Sequence, residues 1–397
     1  MPGELRNSSP PASAGSSRSA ILKQFCRGAV ARGLHHFRLL GFARRLAHDH
    51  SFDVVPGSGL PRIRPDSQSK FGILCYHRVG IEGVPMYSRL RPKTFEAQMD
   101  YLKKHYRLVP LGQLCRELQE ARRVPPTLAI TFDDGYRDLH TYAFPVLQRY
   151  SIPATIYLIG RCMETGEAPW YDRIFLALQT TGISTLEVNF ESPRRFFLSS
   201  AEARMEAAWE IVCFLRAIPE GQRRTWCAEM ERRLPLTETD LAGRMLDWEQ
   251  VRAMHHGGVD FGAHTMTHPV VSRLESTDFP EELARSKRLL ENGLDAAIED
   301  FAYPFGKLSD LSSAAEKFLA KCSYRSAATT IEGYNSPGAN PFGLRRMQIG
   351  DGRSLANFSF DICRMFLNSQ GKPGSADVSL PDWQDAPLHD MAEREGD

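Results

Sequence analysis

Two adjacent carboxylates, Asp133 and Asp134, end the apolar stretch LAITF and are followed by a glycine, in LAITFDDGYRD. Like charges side by side repel, and a divalent cation resolves the conflict by dividing the labour. One carboxylate ligates the cation while its neighbour stays free beside a water as general base. Gly135 lets the chain turn sharply so that both side chains can face one place. Read alone, the stretch fits a polar turn equally well, since Asp-Gly is common turn chemistry. Further on, His264 and His268 stand at i, i+4 in HTMTHP, which projects both imidazoles to one side of a helical turn. Two histidines and one carboxylate form a recurring divalent-metal set with positions left open for water and substrate. His77 ends the apolar run FGILCYH. It is either a proton-transferring group or a hydrogen-bonded buried histidine.

These residues need elements to bring them together. FGILCYH, LAITF, PATIYLI, VDFGAHT, DFAYPFG, YRSAATT and FGLRRMQIG read as buried strands. The helical spacings of TFEAQMDYLKKH, LGQLCRELQEARR, YRDLHTYAFPVLQRYS, WEQVRAMHHGG, EELARSKRLLENGL and SSAAEKFLAK fall between them. Alternating β-α units predict a parallel sheet with helices outside, here a distorted β/α barrel of about seven strands. Functional side chains then belong at the C-terminal strand ends. His77, the Asp133–Asp134 pair and His264 all fall there. Residues 161–246 break the rhythm with WYDRIFLALQ, AEARMEAAWEIVCFLRAI and TWCAEMERRL, which read as a mostly helical insertion in a body spanning 71–350.

Composition bounds the rest. A net charge of +1 gives no global reason to expect a nucleic-acid partner. None of the eight cysteines forms a C-x-x-C pair, which argues against a thiolate zinc knuckle and for buried thiols in a reducing compartment. Residues 1–20 are polar, rich in Ser and Pro, and read as disordered. They lack an apolar signal core, and no run approaches the about 18 apolar residues of a membrane span, so the expected location is cytoplasmic. Segment 21–50 reads as a basic amphipathic helix. It either packs on the body or touches the inner membrane face through residues 21–48. The acidic tail 371–397 is rich in Gly and Pro and reads as disordered. Tyr136, Trp170 and Tyr171 could stack on a sugar ring or simply pack. His255 and His256 read as helix-end residues, and Asp138 as a first-turn helix charge.

TFDDGYRD, HTMTHP and FAYPFG, in this order, resemble the three leading motifs of the polysaccharide deacetylases. These form carbohydrate esterase family 4, with the NodB-homology domain. The resemblance implies a metal-dependent hydrolase that removes N-acetyl groups from N-acetylhexosamine units of a polysaccharide or its lipid-linked precursor. It implies zinc, with cobalt or manganese as alternatives, held by Asp134, His264 and His268. Asp133 matches the catalytic base, and the backbone N–H of Phe305 matches the oxyanion donor. Two features depart from the family pattern. The arginine that usually orients the base is missing at Ala302, and Arg345 or Arg346 could supply it from a neighbouring strand. The late histidine is also missing; His389 lies in the tail. LCYHRVG instead resembles a first-strand motif of circularly permuted members, including the poly-N-acetylglucosamine deacetylases, which gives His77 the general-acid role. The alternatives are a glycan-binding protein without turnover and an O-acetyl esterase on the same site. The sequence leaves the oligomeric state open.

Overall fold

The computed structural model describes residues 52–54, 61–63, 70–81, 89–190, 192–237, 243–275 and 277–367. The segments expected as disordered (1–20 and 371–397) and as a basic helix (21–50) lie outside the described residues. So does His389.

A short antiparallel pair, β1 (Phe52–Val54) and β2 (Pro61–Ile63), precedes the main sheet. That sheet contains β3 (Phe71–Tyr76), β4 (Arg107–Leu108), β5 (Thr127–Phe132), β6 (Ala154–Leu158), β9 (Val259–Ala263), β10 (Asp300–Ala302), β11 (Ser326–Ala328) and β12 (Met347–Gln348). β7 (Thr185–Asn189) and β8 (Pro193–Phe197) form a separate antiparallel hairpin. The main order is β11-β10-β9-β6-β5-β3-β12, all parallel, with β4 on the stretch of β5 that β6 does not reach. β3, β5 and β6 are buried along their whole length, which is why they read as unbroken apolar runs rather than alternating ones.

The two outer strands meet through one segment. Leu344 bridges to Ala328, the last residue of β11, and three residues on Met347 pairs with Leu74 of β3. Residues 344–348 therefore close the sheet into a distorted barrel. Helices cover the outside; Pro92–His105 buries Phe95, Met99 and Leu102 in the barrel core. A last helix, Leu355–Leu367, packs Phe358, Ile362 and Phe366 there too. It lies beyond the body of 71–350 expected from the sequence.

The segment after β6 holds helices Gly160–Thr165, Trp170–Thr180, Ala201–Ala217 and Glu220–Arg233. It also holds the β7–β8 hairpin, which the helical expectation missed. The hairpin's signal is the alternation of exposed and buried residues along Thr185–Asn189. This insertion has its own hydrophobic core around Phe175, Leu178, Ile211 and Leu215. Its end is stitched back to the barrel, where Arg137 N–H donates to the Arg244 carbonyl and Leu246 N–H to that of Gly135.

Phe175 is fully buried at the centre of the insertion core. Phe175→Ala is expected to cost about 3–5 kcal/mol, read as an earlier denaturant midpoint.

Candidate active site

Asp133 and Asp134 continue directly from β5, and Asp133 N–H still donates to the Tyr76 carbonyl at 2.9 Å. Asp134 then enters the left-handed region at φ 71°, followed by Gly135 at 81°. A Cβ on Gly135 would lie 2.5 Å from Leu158 Cδ2, so the sharp exit requires glycine on two counts. His264 follows β9 with its N–H on the Leu158 carbonyl. The loop to His268 is capped by Glu282, whose Oε2 accepts the N–H groups of Met266 and Thr267 at 2.8 and 2.9 Å. Thr265 Oγ1 accepts the His268 N–H at 3.0 Å. Asp134, Thr265, His268 and Phe305 all have positive φ. Such backbone persists where surrounding contacts over-determine it, and it gathers at functional sites.

The side chains converge. His264 Nε2 lies 3.2 Å from His268 Nε2, and the two nitrogens lie 3.5 and 3.4 Å from Asp134 Oδ1. All three residues are at most 2% exposed. Among the described residues neither Asp134 oxygen has a hydrogen-bond partner, a costly state for a buried carboxylate without a cation. His264 Nδ1–H donates to the Ala302 carbonyl at 2.7 Å, which leaves Nε2 as a lone-pair donor. Burial, with His268 alongside, pushes the His264 imidazole down to about 4, so it is neutral at neutral pH. Its approach to Asp134 is then a ligand arrangement rather than an ion pair. A cation at the about 2.0–2.2 Å of nitrogen and oxygen ligands holds its donors about 3–3.5 Å apart, which matches the observed separations. The three residues fit a divalent metal.

Asp133 is arranged differently. Arg346 Nη1 and Nη2 donate to its two oxygens, each at 2.7 Å, and the fully buried guanidinium also donates through Nε to the Thr329 carbonyl. Cys75 Sγ–H donates to Oδ2 at 3.4 Å. Burial alone would raise the Asp133 carboxyl, but Arg346, with His264 and His77, holds it well below the ordinary carboxylate range. Of the two arginines considered for this contact, only Arg346 reaches it. Arg345 turns outward, where its Nη1 donates to the Glu332 carbonyl. Consecutive residues of an extended segment face opposite sides, so the pair could not share the task. His77 is half-buried, and its ring, Cys75 Sγ and a carboxylate oxygen of Asp133 lie within 4.8 Å of one another.

Phe305 follows β10 in a tight turn closed by Gly306. Its ring meets His268 edge-on at 4.8 Å, and its N–H donates to no group among the described residues. Trp170 and Tyr171 are buried rather than open to a sugar face. Trp170 Nε1–H donates to the His268 carbonyl, and the Tyr171 ring lies 5.0 Å from the imidazole. Tyr136 is buried under the Arg78 guanidinium. Asp138, with helical backbone, opens the π-helical turn Leu139–Ala143 and also binds Arg78 at 2.8 Å. His255 and His256 end the helix Trp248–His256, and the His255 contact to the Val259 carbonyl lies at the start of β9, far from the C-terminal strand ends. Glu282 and the insertion's contacts carry no motif in the sequence; the fold brings them here.

A family model described as polysaccharide deacetylase matches residues 121–325. "Putative polysaccharide deacetylase YxkH" of Bacillus subtilis is 23% identical over 298 residues, 75% of this chain and 77% of that protein. The poly-β-1,6-N-acetyl-D-glucosamine N-deacetylase of Escherichia coli is 28% identical over 106 residues, 26% of this chain and 16% of that protein. Among solved structures, Streptococcus pyogenes deacetylase PplD in complex with acetate has the same fold. Its TM-score is 0.51 at 18% identity, over 76% of this chain and all but 1% of that one (99%).

Titration with zinc is expected to show tight binding that Asp134→Asn and His268→Ala each weaken more than about 100-fold, beyond the loss of a merely supporting residue. Arg345→Ala should leave it unchanged. The buried Asp133–Arg346 pair also predicts an acid response. The folded Asp133 value lies below its unfolded value of about 4. The pair's stability is therefore complete above that value and is lost as pH falls towards the folded one. In metal-stripped protein, unfolding free energy should fall with pH below about 4, by up to about 1.4 kcal/mol per pH unit from this group. Asp133→Asn should flatten that slope.

Proposed function

The chain belongs to the polysaccharide deacetylase family, and from that premise we propose that it hydrolyses the N-acetyl group of N-acetylhexosamine units in a glycan. The observation that carries this reading is the division of roles between neighbouring carboxylates. Asp133 is bound by Arg346 through both oxygens, whereas Asp134 presents Oδ1 to a histidine pair. A divalent cation held by Asp134, His264 and His268 would supply Lewis acidity to the acetyl carbonyl and to the attacking water. Zinc suits this nitrogen and oxygen donor set.

The chain's own groups do the rest. Asp133 takes the proton of the attacking water; the bidentate arginine fixes its aim and keeps it ionised at neutral pH. The Phe305 N–H receives the developing oxyanion. An amine leaves poorly until protonated, and His77, half-buried beside Asp133, hands it that proton. Acetate and a free amine result. We also read the chain as a circularly permuted member. In support, His77 comes on the first barrel strand, and the arginine that meets the base comes at residue 346 rather than at Ala302. Both residues lie outside the matched span 121–325. The activity for which the Escherichia coli relative is named supports an N-acetylated glucosamine polymer as substrate.

Acetate release from N-acetylglucosamine oligomers should require added metal and stop with a chelator. Asp133→Asn should lower kcat by about 100- to 10,000-fold. His77→Ala should slow amide hydrolysis far more than hydrolysis of an acetyl ester, whose alkoxide leaves more readily. Metal-loaded protein that releases no acetate from any N-acetylated oligomer would refute the reading.

A further inference from the structure

The insertion brings one more charged side chain to the site. Arg216 lies in the last turn of the helix Ala201–Ala217, with its guanidinium carbon 4.1 Å from the centre of the Phe305 ring. Its Nη2 is 3.8 Å from Asp310 Oδ2, and the two side chains are only 10% and 11% exposed. Asp310 Oδ2 in turn accepts the Lys307 N–H at 3.1 Å, two residues beyond Phe305. The ring thus touches both the His268 imidazole and the guanidinium and packs against the insertion's own core.

Phe305 needs this grip. Its φ of 59° lies in a region that a residue with a Cβ avoids unless its surroundings impose it. Its carbonyl is fixed by Thr330 Oγ1–H at 2.6 Å. With carbonyl and ring both anchored, the direction of its N–H has little freedom left. A phenyl ring carries no hydroxyl to tether it, so a cation over its face is the polar anchor open to it. We propose that Arg216 is a positioning residue, which holds Phe305 so that its N–H points at the oxyanion of the reaction. The proposal rests on the reading of the reaction given above.

Arg216→Gln removes the cation, and Arg216→Lys keeps it. The Gln variant should lose about 10- to 100-fold in kcat on amide and ester alike, because both pass through an oxyanion. KM should stay within about twofold, zinc affinity should hold, and the Lys variant should recover most of the rate. An unchanged kcat, or a loss confined to the amide, would overturn the proposal. A crystal structure of the Gln variant gives a readout independent of turnover. Phe305 should leave the left-handed region; its retention there overturns the positioning role whatever the rates. An inactive wild-type protein whose Phe305 shifts only in the variant would refute the reaction and support the clamp. Should the Gln chain not fold, Arg216→Met carries the same readouts.

Discussion

One buried ion pair holds the architecture to its chemistry. Arg346 sits on the segment that closes the barrel between β11 and β3, and its guanidinium reaches Asp133 at the end of β5 and the carbonyl of Thr329 just beyond β11. A fully buried charge pair is a poor source of net stability, because desolvation offsets most of the attraction, whereas breaking it leaves a strongly destabilising unpaired charge. What such a pair enforces is position. The same contact seals the last seam of the sheet and fixes the carboxylate read here as the base.

Asp134 shows the complementary design. Among the described residues its oxygens lack hydrogen-bond partners, and Oδ1 faces two buried imidazoles, one of them kept neutral by burial and oriented by the Ala302 carbonyl. Two residues adjacent in sequence therefore live in opposite electrostatic settings, one neutralised by protein and the other left for a cation. The left-handed turn at Asp134 and the glycine behind it make that separation possible. Beyond the barrel, the insertion supports the same place, with Trp170 on the His268 carbonyl, Tyr171 on its ring and Arg216 on Phe305.

The barrel and its strand-end residues were legible because buried parallel strands announce themselves as apolar runs, and the chemistry follows where each run stops. Asp133, Asp134, His264 and His268 could be read this way. The arginine could be narrowed only to two neighbours, since which of them faces inward depends on the register of a two-residue strand, β12. The insertion's share was not legible. Trp170 meets His268, and Arg216 meets Phe305, through packing between distant segments that leaves no periodic trace. The β7–β8 hairpin was readable in principle, but its alternation was short and lay between strong helical patterns.

The place of Arg346 in the chain has a consequence for biosynthesis. A ribosome delivers Asp133, Asp134 and both histidines long before it delivers residue 346. A nascent chain therefore carries every candidate ligand while its neighbouring carboxylate still lacks a countercharge. The seam between β11 and β3 cannot close until the arginine has emerged. Barrel closure and charge compensation of Asp133 then become one event, late in synthesis, and a chain cut short before that point would keep its ligands yet leave the adjacent acid uncompensated.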